Sequence, residues 1–166
     1  MYGNLKNEKR QSGYTLIELV IVMGIIVLLF GFTTINLGGV ARVTSVNETV
    51  DLLTADIRGQ QTKAMTGSGD GTSGSSYGIY FQTDQYTLFR GTTYSNQNST
   101  NFIVKLDKNL NFVNDTFPNS TLIFLQSSGE ISGYSTDNST ITTENTAGNE
   151  QKTIRVNQLG TVDQIN

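Results

Sequence analysis

Residues 14–41 read YTLIELVIVMGIIVLLFGFTTINLGGVA, and one charged side chain, Glu18, interrupts them. From Leu19 to Ala41, a run of 23 residues, there is no charge at all. A helix rising ~1.5 Å per residue carries that run about 35 Å, enough to cross a hydrocarbon core of roughly 30 Å. Residues 1–13, MYGNLKNEKRQSG, place Lys6, Lys9 and Arg10 against Glu8 ahead of it, a net of +2. Basic residues on that side predict a cytoplasmic N-terminus with the rest of the chain outside. Two features set the segment apart from an ordinary signal peptide or signal anchor. Gly13 lies between the basic segment and the apolar run, whereas a secretory signal has its small-residue cleavage site after the apolar stretch. Glu18 sits inside an otherwise apolar helix, where an ionisable side chain costs ~2.5–3.5 kcal/mol. The next cation, Arg42, is ~36 Å further along at helical rise. A partner for Glu18 therefore comes from another chain or from the chain's own start.

Composition narrows the chemistry. With 166 residues the chain suits one modest domain. It has no Cys, His or Trp, which removes disulfides, Cys/His zinc sites, thiol nucleophiles and every triad that uses imidazole as base. Asn, Ser and Thr together number 53 of 166, so the surface is polar but weakly charged. The formal charge is −3 and the pI near 4.8, so no basic nucleic-acid footprint is evident.

The string Gly13-Tyr14-Thr15-Leu16-Ile17-Glu18-Leu19-Val20-Ile21-Val22 resembles the class III signal of type IV pilins and of the pseudopilins of type II secretion. The resemblance implies that a prepilin peptidase cuts after Gly13 on the cytoplasmic side. It further implies that Tyr14 becomes the N-methylated first residue and Glu18 the fifth of the mature chain. Members mostly carry Phe or Met first, so Tyr14 departs from the pattern while remaining aromatic. Subunit assembly would then rest on Glu18 and Thr15 together with helix packing. The new α-amine, with a reference pKa of ~7.7–8.0, would pair with the Glu18 carboxylate of a neighbour. Gly24 and Gly31 would admit close approach of neighbouring helices, or are ordinary membrane-helix glycines.

Beyond the apolar run the helix is expected to continue. Val43, Val46, Val50, Leu53, Ile57 and Ala64 fall on one face at helical period, a face suited to packing on a sheet. Gly38-Gly39 predicts a bend or local unwinding, since Gly costs ~1 kcal/mol in a helix relative to Ala. Ile35 and Asn36 stand where major pilins often have a Pro. Gly67 marks the stop, and residues 66–76, TGSGDGTSGSS, read as a flexible loop. The remainder reads as strands over 77–82, 85–90, 102–106, 110–113, 121–126, 131–134, 139–143, 152–156 and 161–165, with a hairpin at Thr83-Asp84. The expected fold is α+β and pilin-like. A leader (1–13) precedes a transmembrane and assembly helix (14–41), its amphipathic continuation (42–66) and an antiparallel β-sheet head (67–166). The order of elements resembles the H-type minor pseudopilins more diffusely than the N-terminal string resembles the signal.

Other constellations carry less. Asp107-Lys108-Asn109-Leu110-Asn111 opens like a calcium loop, but Phe112 stands where Gly is needed and Pro118 where a bidentate Glu belongs, so a plain turn is expected. Glu130, Asp137, Glu144 and Glu150 show no spacing for acid–base work. Past Gly13 the side chains carry 8 cations and 13 anions. Lys105, Lys108, Lys152 and Arg155, even if clustered, would neutralise few phosphates. The reading is therefore a minor pilin or pseudopilin, a structural subunit and not an enzyme, with no cofactor and no metal. Its partners would be the prepilin peptidase, other subunits, the inner-membrane assembly platform and, before assembly, the membrane. It would sit single-pass in the cytoplasmic membrane of a bacterium and then in a surface or periplasmic filament. The alternative is a filament-tip module that recognises DNA or a surface ligand.

Overall fold

The computed structural model describes residues 13–34, 37–67 and 74–166, with side-chain surroundings given outside 31–44. The chain divides into two compact units, 1–38 and 39–166. In the first unit, helix α1 (Leu16–Thr34) follows a short non-helical start. Among the described residues no helix is long and apolar enough to cross a membrane. The crossing expected over 14–41 runs into residues 35–36, which lie outside them, as do the surroundings of Gly31.

Helix α2 (Leu37–Thr66) carries the expected stripe into the second unit. Val46, Val50, Leu53, Ile57 and Ala64 are all buried, as their three- and four-residue spacing requires. The side chain of Val43 lies outside the described residues. Gly38 and Gly39 are both helical within α2, so the chain does not unwind at that pair. Gly67, with φ +63°, ends α2 in the left-handed region that glycine adopts without strain. Most of the 66–76 loop lies outside the described residues.

The head holds two four-stranded antiparallel sheets. The first orders as β3 (Phe102–Lys105), β2 (Gln85–Arg90), β1 (Tyr77–Phe81) and β5 (Thr121–Phe124). The second orders as β4 (Leu110–Val113), β6 (Thr140–Asn145), β7 (Glu150–Val156) and β8 (Val162–Ile165). The β1–β2 hairpin turns where expected, with Phe81 opposite Tyr86 and the Gln82 N–H donating to the Gln85 carbonyl. Residues 131–134 form no strand. Ile131 makes one isolated bridge to Phe124, and Gly129 and Gly133 on either side take positive φ, which breaks extended pairing.

One core unites α2 with both sheets. It includes Leu53 and Ile57 from the helix, Ile79, Tyr86 and Leu122 from the first sheet, and Phe112, Ile141 and Ile154 from the second. Phe81 joins the sheets, meeting Phe112 edge-on and stacking on Phe117, both at 5.5 Å between ring centres. Gly78 cannot carry a side chain here. A Cβ would come within 2.5 Å of the Phe89 ring and 2.9 Å of the Leu122 carbonyl oxygen. The Tyr86 hydroxyl donates to Asp56 Oδ2 at 2.5 Å. Burial first, then that bond and the Asp56 charge, push the phenol far above its usual range, so it remains a donor. Burial also raises the Asp115 carboxyl, with hydrogen bonds from Ser120 and the Phe117 N–H acting against it.

Polar side chains fix where α2 sits. The Gln60 amide donates from Nε2 to the carbonyls of Gly78, at 2.8 Å, and Phe89, at 3.3 Å. Its neighbour Gln61 donates from Nε2 to the carbonyls of Leu159, at 2.5 Å, and Gly129, at 3.3 Å. Two consecutive glutamines thus tie one helical turn to the first sheet on one side and to the β7–β8 turn on the other.

Candidate functional site

The residues that carry chemistry in the sequence gather at the start of α1. Thr15 is its N-cap. The Glu18 N–H donates to Thr15 Oγ1 at 3.3 Å, and the Leu19 N–H to the Thr15 carbonyl at 3.2 Å. These bonds satisfy donors that a helix start otherwise leaves open. The spacing Thr15-x-x-Glu18 is that of a capping box, a local signal legible in the sequence alongside the assembly role implied for both residues. Glu18 in the first turn also meets the positive end of the helix dipole, a gain of ~0.3–1 kcal/mol.

Exposure defines the rest. Every described side chain from Tyr14 to Phe30 is exposed, the large apolar ones from 42 % at Ile26 to 87 % at Tyr14. Tyr14, Glu18, Val22 and Ile26 recur at four-residue intervals, and with Leu19 and Met23 they line a shallow groove of about 370 Å³ along the helix. The one carboxylate of α1 therefore lies on an apolar face beside the first aromatic ring. At Gly13 and Gly24 an added Cβ would meet nothing within 4 Å. Any demand for glycine at either place is not set by this chain's own described packing.

Elsewhere the structure separates what the sequence left open. Lys105 pairs in the first sheet, whereas Lys152 and Arg155 belong to the second. Three residues apart on one strand, those two point to opposite faces, so the four cations form no single patch. At Asp107 the carbonyl accepts from the Leu110 N–H, and Asn109 takes φ 71°, a turn that leads directly into β4. Glu144 accepts from the Gln151 amide across the β6–β7 hairpin. Among the described residues no group of acidic side chains is arranged to hold a metal.

Residues 9–34 match the prokaryotic N-terminal methylation motif. No curated protein and no solved structure matches the chain. The matched span contains Gly13, Tyr14, Thr15 and Glu18 and the whole of α1. By that motif, joined to an α+β head of pilin-like arrangement, the chain carries the N-terminal signal of a type IV pilin- or pseudopilin-like precursor.

Proposed function

We propose that the chain is a minor pilin or pseudopilin, cut after Gly13, methylated on Tyr14 and assembled through its N-terminal helix. The observation that carries the reading is an apolar helix whose described side chains are all exposed. A helix that is apolar all round is stable when buried, either in lipid or among other helices. Each Leu, Ile or Phe so removed from water contributes ~1.5–3 kcal/mol. A membrane before assembly and a bundle of neighbouring helices afterwards supply the two environments.

Glu18 makes the second of these more than packing. Desolvating it costs ~2.5–3.5 kcal/mol, and the helix dipole returns only ~0.3–1 kcal/mol. Local capping therefore leaves most of the cost standing. The α-amine created on Tyr14 of a neighbouring subunit is a cation of the right kind, and its pairing with Glu18 offsets the remainder while setting register. The head, like that of the H-type minor pseudopilins, would act as a structural subunit at a filament's start or cap. Gly13 then serves the peptidase, consistent with the open space around it. Expressed with a prepilin peptidase, the membrane protein should lose residues 1–13 and gain one methyl group on Tyr14, read by intact mass. A mass unchanged from the full 18.1 kDa would overturn the reading.

A further inference from the structure

Among the described residues four strands form the edges of the two sheets, and the chain closes two of those edges itself. Along β5 the Ser132 N–H donates to the Ile123 carbonyl and the Leu125 N–H to the Glu130 carbonyl, each at 2.8 Å. On β4 the Phe112 N–H donates to the Thr83 carbonyl at 2.8 Å, so the β1–β2 turn caps that side. Strands β3 and β8 differ. Among the described residues neither makes a backbone bond outside the ladder with its one neighbour, β2 or β7. Such an edge is a row of unpaired N–H and C=O groups, a template for another strand.

The bonds beside these strands show which residues face outward. The Leu106 N–H donates to the Asp84 carbonyl, and residues of an antiparallel pair alternate between facing the partner and facing away. Ile103 and Lys105 therefore turn their backbone groups away from β2. Asn166 and Thr153 exchange both of their bonds, so Ile165 turns away from β7 in the same manner. Asp163 has no residue opposite it, because Arg155 faces Gln164 and Val156 faces Val162. All four side chains are exposed, Ile103 by 54 % and Ile165 by 43 %.

We propose that β3 of one copy pairs antiparallel with β8 of a second copy, joining two heads through one continuous sheet. When Ile103 lies opposite Ile165, Lys105 falls opposite Asp163, so both cross-strand pairs are matched. A shift of two residues sets Ile103 against Asp163 and Lys105 against Ile165, which matches neither. Pairing β3 with β3, or β8 with β8, brings like charges together and is disfavoured. A lysine on an edge strand discourages indiscriminate pairing, and here it selects the acidic edge. A ladder this short is weak between free molecules, and it gains strength when heads are held side by side at high effective concentration. Because the two edges differ, the contact is head-to-tail and leaves each copy one open edge, so a row can grow. It uses only the head and requires no cleavage at Gly13.

The chain has no cysteine, so introduced thiols report the contact without background. Full-length copies carrying Ile103→Cys and Ile165→Cys are co-expressed, and their membranes are gently oxidised. The mixed disulfide should exceed either homodimeric link about tenfold, as two matched cross-strand pairs imply. Lys105→Glu in both copies should lower the mixed link about tenfold, and adding Asp163→Lys should restore it. Every substituted side chain is exposed, so the fold should survive. Mixed linking no stronger than homodimeric linking, equal linking of Ile103→Cys to Asp163→Cys, or a charge swap that fails to restore the link would each overturn the proposal. Intact mass of the same membranes reads the loss of residues 1–13 separately, so pairing and processing succeed or fail independently.

Discussion

Glu18→Val should leave the protein inserted and cut but reduce its recruitment into filaments about a hundredfold. The variant removes one partner of a desolvated pair and strands the neighbour's amine, a change worth ~3–5 kcal/mol. At ~1.4 kcal/mol per tenfold, that corresponds to a factor of at least about a hundred in the assembly equilibrium. The helix start itself survives, because the bond to Thr15 Oγ1 comes from the backbone N–H of residue 18. Glu18 also takes no part in the core of the head. Glu18→Gln separates charge from size: it should fail almost as badly as the valine variant, although it is nearly isosteric. Quantitative immunoblots of sheared filaments against membranes measure both, and normal incorporation of either variant would refute the amine pairing.

Gly13→Leu is the second large effect, and it acts before assembly. The described structure offers no internal reason for glycine at this position, since a Cβ there meets nothing within 4 Å. A defect must therefore arise in the fit of the chain to the peptidase. Forcing a bulky side chain into a fitted pocket costs ~1–3 kcal/mol, which slows cutting by roughly ten- to a hundredfold. Precursor should accumulate in the membrane with residues 1–13 attached, while thermal unfolding of the head stays unchanged. Rapid cutting of this variant would move the scissile bond elsewhere.

The two ends of the chain were legible in the sequence to different degrees, for physical reasons. The α2 stripe could be read because apolar side chains at 46, 50, 53, 57 and 64 repeat at the helical period. The gap between Ile57 and Ala64 hid the residue that fills it. Gln60 is polar, and only the carbonyls of Gly78 and Phe89, far away in sequence, make its burial favourable. The strands were legible wherever aromatic and β-branched residues clustered, as in 77–81 and 85–90. Thr87, Thr142 and Thr143 are buried as well, yet threonine gives no inside–outside signal, so the faces of β6 could not be assigned from polarity. Division into two sheets depends on β5 returning beside β1, a long-range pairing that no local pattern encodes. Ile131 is apolar and β-branched like a strand residue, but the positive φ of Gly133 and Gly129 limits it to a single bridge. At the candidate site the Gly13–Glu18 string is contiguous, so the methylation motif that spans it is legible in the sequence itself. The Thr15 cap depends on neighbouring residues equally, and its Thr-x-x-Glu spacing was there to be read.

The most direct measurement is N-terminal peptide mass spectrometry on surface filaments sheared from cells that express the chain. The account predicts that the chain is present in that fraction and begins at N-methylated Tyr14, with no peptide from residues 1–13. Recovery only in the membrane fraction with Met1 in place would contradict it, and would mark the protein as an anchored β-domain that never polymerises.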